Sequence, residues 1–192
     1  FKQVPFNDIE ALKAAVTPQT CAIMLEMVQG EGGVNALDKS YVQAVYNYCK
    51  DNDILLIVDE VQTGNGRTGK MYAYMNYGIN PDVVTTAKGL GGGLPIGAAI
   101  LGEKVQNVLG FGDHGSTYGG NPVCCAAACS VVSRIDEKLL ASVKEKSKFV
   151  FDSFKGAKGV VSVSGMGLMI GIKTEKPASD IVKKCIEKGV LC

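Results

Sequence analysis

Histidine occurs once in this sequence, at His114. One histidine leaves almost no room for a His-based metal site or a Ser-His-Asp triad. No apolar run reaches the roughly 18 residues a membrane span needs, and nothing resembles a signal peptide. Charge of either sign is not in excess: the formal net charge is +1, which gives no electrostatic case for nucleic acid or membrane partners. None of the seven cysteines falls in a Cys-x-x-Cys pair, so zinc and dithiol redox sites have no support. Reduced thiols in a cytoplasmic protein are the expectation, with Cys124, Cys125 and Cys129 acting as small core residues of an Ala-rich helix. There are no internal repeats and no low-complexity segment.

What is present is a chain of 192 residues, 46% hydrophobic, enough for one sizeable core. It opens on Phe1 rather than Met and closes on the apolar Val190-Leu191-Cys192, which suggests an internal segment of a longer protein. The apolar run Ile54 to Val58 reads as a buried strand that ends on Asp59. Asp82 to Ala87 reads as a second strand, and it ends on Lys88, 29 residues after Asp59. The interval leaves room for a loop and one crossover helix, the requirement of a parallel βαβ unit. An acid and an amine then emerge together at the carboxyl edge of a parallel sheet, where ligands of open α/β sheets sit. Glycines follow Lys88 and permit close approach of backbone and ligand. A desolvated lysine loses its proton more readily and can form a Schiff base with an aldehyde such as that of pyridoxal phosphate. That cofactor also needs an acid against its ring nitrogen, and Asp59 is placed for it. From spacing alone, an ordinary exposed lysine and a strand-end aspartate remain an equal alternative.

Around this centre, Asn7-Asp8 caps a short helix from Ile9 to Val16 that stops near Pro18. Cys21 to Leu25 reads as a strand delivering Glu26 and Glu31 to the loop beyond it. Asp38 opens a helix to about Asn52, with Val42, Val45, Tyr46 and Cys49 at core spacing. Pro95 to Leu101 reads as another strand. Asn121-Pro122 starts a helix, apolar through Ile135 and buried on most sides, and a polar helix follows from Glu137 to Phe154. Beyond the break at 155–159, two β runs (160–163 and 168–172) and a helix over 179–188 read as a βαβ-like tail. The expected division is a large domain over 1–150 and the start of a small α+β domain over 151–192.

Two glycine-rich stretches partly match nucleotide-binding patterns. Gly64 to Lys70 matches Gly-x-x-x-x-Gly-Lys, but Met71 stands where Ser or Thr belongs. The same stretch, read as Gly-x-Gly-x-x-Gly, lacks an acid about twenty residues on. Gly110 to Gly115 has no clean strand before it. Neither supports a nucleotide site.

Four motifs in order carry a resemblance over essentially the whole chain: Asp59-Glu-Val-Gln62-Thr-Gly, Gly66-Arg-Thr-Gly69, Lys88-Gly-Leu-Gly-Gly-Gly-Leu-Pro-Ile-Gly97-Ala and His114-Gly-Ser-Thr-Tyr-Gly-Gly-Asn-Pro122. Glu26-Met-Val-Gln29-Gly-Glu31-Gly-Gly joins them upstream. Together they resemble the class III pyridoxal-phosphate-dependent aminotransferases. The resemblance implies an α/β fold, the large domain of a fold-type-I pyridoxal enzyme with a mostly parallel sheet and flanking helices. It implies Lys88 as the Schiff-base lysine and proton carrier, and Asp59 on the ring nitrogen. Glu60, Val61, Gln62 and Thr117 join Asp59 and Lys88 as cofactor contacts, Val61 on the ring face and Gln62 on the ring hydroxyl. Thr117 would bind the cofactor phosphate of a neighbouring subunit, so a homodimer with shared sites is implied. Ser116 and Glu31 lie on the substrate side, and Arg67 braces its loop. No metal is implied. Met27 stands where relatives usually carry Pro. Within the class the likeness is strongest to the N-acetylornithine branch. It implies amino-group transfer between N-acetylornithine and a 2-oxo acid acceptor, 2-oxoglutarate, as in arginine biosynthesis. Ornithine, succinylornithine and 4-aminobutyrate are the alternative donors, and a non-catalytic fragment is the alternative of another kind.

Overall fold

Four strands form the central sheet, in the order β1-β4-β5-β6, in a computed structural model that describes all of residues 1–192. β1 (Ala22–Glu26), β4 (Leu55–Asp59) and β5 (Val83–Thr86) are parallel, and β6 (Ala98–Leu101) closes one edge antiparallel to β5. The register sets Glu26 beside Asp59 and Asp59 beside Thr85, so the carboxyl ends of the three parallel strands finish level. β4 forms because five apolar or β-branched side chains precede its acid, and alternation sends Leu56 and Val58 into the core. There they share one cluster with Val42, Val45 and Cys49 of α2 (Lys39–Asp51), the expected helical spacing. Tyr41 is buried in the same cluster and belongs to the same helix face. α1 (Ile9–Ala15) begins as expected, with Asp8 Oδ1 accepting the Ala11 amide at 2.9 Å. No helix is long and apolar enough to cross a membrane.

The β4–β5 crossover departs from expectation, for it holds no α-helix. Residues 61–72 fold into successive turns closed by Arg67 N to Gly64 O (3.2 Å) and Gly69 N to Gly66 O (3.0 Å), and only a 3-10 turn, Ala73–Asn76, follows. Glycine density favours turns over a continuous helix here. These amides donate to the loop's own carbonyls, which also removes them from any phosphate cradle. Between β1 and α2 a small antiparallel pair, β2 (Val28–Gln29) with β3 (Asn35–Ala36), was not anticipated.

α3 (Pro122–Val132) starts as the sequence indicates, with Asn121 Oδ1 accepting the Cys124 amide at 3.0 Å. It stops at Val132, short of Ile135, and it is not buried on most sides: Val123 and Val132 are exposed, and only Cys124 is fully buried. Its principal neighbour is the 3-10 turn Lys88–Gly91, so one face is covered and the rest is open. Cys125 is half-buried and Cys129 exposed, so the core role expected of three cysteines holds for Cys124 alone. α4 (Glu137–Phe154) runs straight through the boundary expected at 150. The tail is an antiparallel hairpin, β7 (Val160–Met166) and β8 (Met169–Thr174), followed by α5 (Ala178–Glu187), and not a βαβ unit. Two residues, Gly167 and Leu168, separate its strands, too few for any parallel crossover. The hairpin tip returns to the crossover loop, where the Leu168 amide donates to Arg67 O at 2.9 Å.

Candidate active site

At the carboxyl end of β5 the backbone is forced. Ala87 has φ −162° and ψ −143°, and Lys88 follows at φ +46°, in the left-handed region that a non-glycine residue rarely occupies. Such a conformation is unfavourable by about 1 kcal/mol or more and persists where the surroundings over-determine it, commonly at functional sites. Lys88 opens the 3-10 turn Lys88–Gly91, and its side chain stands at the wall of a cavity of about 330 Å³. Val61, Gln62, Asn65 and Arg67 line the same space, with Leu168 and Met169 from the hairpin tip. Lys70 is absent from this lining, and Lys104 belongs to an ion pair with Asp53 (2.7 Å).

Asp59 ends β4, the strand beside β5, and its Oδ1 accepts the Val61 amide at 2.8 Å. That bond turns the chain sharply after the strand and carries Val61 and Gln62 to the cavity. Gln62 lies across Gly30: a Cβ on Gly30 would stand 1.9 Å from Gln62 Oε1, so the missing side chain is the space the amide occupies. Glu31 follows Gly30 in the exposed turn between β2 and β3 and does not line the cavity. Ser116 and Thr117 are exposed on a long loop and are not brought to the cavity either.

Glu60, grouped with the cofactor contacts on sequence, faces the other way. It is fully buried, and its carboxylate accepts Thr63 Oγ1 (2.5 Å), the Ala73 amide (2.9 Å) and the Tyr74 amide (2.8 Å). Alternation along an extended chain puts neighbours on opposite faces, so Asp59 and Glu60 diverge, and neither is among the residues that line the cavity. Burial, the largest influence, pushes the Glu60 carboxyl above the ordinary carboxylate value; the three hydrogen bonds oppose this in part, and Asp59 adds to it. Glu60 holds the crossover loop rather than a ligand.

The model of the Aminotransferase class-III family matches residues 2–192. The chain belongs to the class III aminotransferases. It is 51% identical over 196 residues to the acetylornithine aminotransferase of Methanocaldococcus jannaschii, covering 100% of this chain and 49% of that protein. The acetylornithine aminotransferase of Haemophilus ducreyi is 48% identical over 194 residues, with 100% and 49% covered. Among solved structures, the ornithine aminotransferase from Toxoplasma gondii ME49 superposes with TM-score 0.93 at 33% identity, covering 100% of this chain and 48% of that one. The N-acetylornithine aminotransferase from Stenotrophomonas maltophilia K279a gives TM-score 0.88 at 34% identity, with 100% and 52% covered. The chain spans about half the length of the curated relatives it matches.

Class III aminotransferases use pyridoxal phosphate, and the donor set fits its ring. An amine on a strained backbone, an apolar Val61 and the Gln62 amide line one cavity, and Asp59, which is not part of that lining, ends the adjacent strand. Arg67 is the one cation besides Lys88 on the cavity lining. Asn65, Leu168 and Met169 were missed on sequence. An asparagine between two glycines, Gly64-Asn65-Gly66, signals a left-handed turn position and offered a clue to the first. Nothing local marks the hairpin tip, because it reaches the site from about a hundred residues along the chain.

Proposed function

We propose that the full-length protein is a pyridoxal-phosphate-dependent aminotransferase that moves an amino group between N-acetylornithine and 2-oxoglutarate. One observation carries the reading: Lys88, strained at φ +46°, lines a cavity with Val61 and Gln62, one strand from Asp59. The donor rests on the identity to proteins named acetylornithine aminotransferase. Ornithine is the second reading, favoured by the TM-score of 0.93 to an ornithine aminotransferase. A panel of both amines with the full-length protein separates them.

Pyridoxal phosphate, when bound, supplies an aldehyde for amines and a ring that takes up the electron pair left when a proton is removed. Lys88 Nζ would be the amine that holds it at rest and, once freed by substrate, would be placed to accept and return the proton. Asp59 would hold the ring nitrogen in its protonated form through a charge-assisted bond of about 1.5–3 kcal/mol. Val61 would pack on the ring face and Gln62 would bond the ring oxygen. Glu31 and Ser116 act on the substrate side.

The working unit is a homodimer in the cytoplasm, with Thr117 reaching the partner's cofactor phosphate. Support comes from Thr117 lying outside its own chain's cavity, on a segment that also exposes Val108, Leu109, Phe111 and Tyr118. Residues 151–192 begin the smaller domain. The 192 residues alone should have no measurable turnover, because Arg67 is the only cation besides Lys88 on the cavity, too few to hold both a cofactor phosphate and a substrate carboxylate. Borohydride reduction of the cofactor-loaded full-length protein, followed by peptide mapping, tests the site. The label should fall on Lys88; a label on Lys70 or Lys104 would overturn the assignment.

A further inference from the structure

Asn65 lies in the crossover loop at φ +54°, a left-handed conformation that asparagine tolerates better than most residues. Its side chain reaches across to the end of β5. Nδ2 donates to Thr86 Oγ1 at 3.1 Å and to the Ala87 carbonyl at 3.2 Å. These are the two residues immediately before Lys88. The amide orientation follows from the Ala87 carbonyl, which can only accept, so the nitrogen must face it. Oδ1 is left buried and without a partner. Such an atom is unfavourable in the interior, so the side chain is placed by the strand end and not by its own satisfaction. Gly89, on the far side of Lys88, packs against the same residue, since a Cβ there would lie 3.6 Å from Asn65 Cβ.

We propose that Asn65 is a positioning residue for Lys88: its two hydrogen bonds hold the Thr86–Ala87 segment so that the strained lysine backbone cannot relax and its amine stays at the cavity. The Ala87 carbonyl also accepts the Leu90 amide at 3.0 Å, which closes the short 3-10 turn, so Asn65 adds a second hold, from a side chain, on the segment before the strained Lys88. Without the Asn65 bridge, the peptide before Lys88 can rotate toward negative φ. The amine would then sweep a larger volume, and its effective concentration at the bound aldehyde would fall.

This inference rests on Lys88 being the lysine that captures the cofactor, and a binding cycle in the full-length protein separates the two claims. Asn65→Gly keeps the left-handed backbone accessible and removes the donors; Asn65→Asp keeps the size and replaces the donor by an acceptor. Each is made in the parent and in a Lys88→Ala background. Two quantities are measured with pyridoxal phosphate: the rate of borohydride-fixed capture, and the affinity by fluorescence titration in Lys88→Ala, where capture cannot occur. Both Asn65 variants should slow capture at Lys88 by about tenfold, as expected for two lost neutral hydrogen bonds. Neither should change the affinity in the Lys88→Ala background by more than about twofold, the signature of action through the lysine. Capture by Asn65→Gly within about twofold of the parent would overturn the proposal. So would an equal loss of affinity in both backgrounds, which would make Asn65 a direct contact or a scaffold element. If Lys88→Ala itself leaves fixed capture intact, the assignment of Lys88 fails, and the positioning role fails with it for that separate reason.

Discussion

Glu60, the second of two consecutive carboxylates, is buried in the crossover loop, and its part in stability can be measured as a pH dependence. Burial raises the Glu60 carboxyl above its unfolded value. The native state therefore binds more protons than the unfolded state between those two values, and stability falls as pH rises through that window. Glu60's favourable contribution is fully present below the ordinary carboxylate value and is lost above the raised one. Glu60→Gln should remove this part of the slope. It should also lower stability by about 1–3 kcal/mol, because an amide nitrogen must then face Tyr74 N–H or the donors from Thr63 and Ala73. Thermal unfolding of parent and variant across acid to neutral pH checks both statements, and an unchanged slope would mean that Glu60 does not titrate in this window. The two carboxylates also show where sequence is readable. An acid or amine closing a five-residue apolar strand announces the edge of a sheet, so Asp59 and Lys88 are visible without coordinates. Glu60's role depends on amides at 73 and 74, which no local pattern points to.

At the scale of elements, the strands and most helix starts were legible because caps and apolar runs are local signals. Asp8 and Asn121 each accept an amide three residues on, as their sequence positions suggest, and Asp136 does the same at the start of α4. What was not legible depends on distant neighbours: the helix-free crossover, the β2–β3 pair, and the hairpin that closes the cavity. The hairpin tip gives a test of that closure. Gly167 sits at φ +61°, and a Cβ there would stand 2.5 Å from Arg67 O and 2.5 Å from Thr68 Cα. Gly159 also has positive φ, at +83°, with nothing within 4 Å of its Cβ position. Gly159→Ala should therefore lower stability by about 1–2 kcal/mol, the conformational term alone. Gly167→Ala adds a backbone clash of roughly 1–3 kcal/mol and displaces Leu168 and Met169 from the cavity wall. Unfolding midpoints compare the two; equal losses would mean that the tip is not held against the loop. A second element-scale test concerns Tyr77, whose hydroxyl donates toward Met27 O (3.1 Å) and Leu37 O (2.9 Å). It ties the chain before β2 and the chain after β3 to one point. Burial, helped by Asp38 and Glu60, pushes this hydroxyl up to about 12, so it stays a donor at any ordinary pH. Tyr77→Phe should lower stability by about 1–2 kcal/mol through the Leu37 carbonyl, since the Met27 carbonyl keeps the Leu37 amide at 3.0 Å, with Lys88 capture retained.

For the whole molecule, the decisive feature is the separation of Thr117 from the cavity that holds Lys88. Thr117 follows Lys88 by 29 residues, across β6 and a long exposed loop, and nothing in that path returns it to its own cofactor edge. The flanking apolar side chains are open as well: Phe111 and Tyr118 are exposed, as is Val108, on one continuous segment. A two-fold contact through that segment would give two equivalent sites, each drawing on both chains. The proposal is tested by complementation. Full-length Lys88→Ala subunits are combined with full-length Thr117→Ala subunits, and the mixture is compared with each homodimer. In a mixed dimer one site carries both lesions and the other carries neither. One native-like site should reappear per mixed dimer, with about half the parental activity, while both homodimers stay impaired. Native mass spectrometry verifies that mixed dimers form. Mixed dimers that restore nothing would mean that Thr117 serves its own subunit, and the shared-site reading would fall while the Lys88 assignment stood.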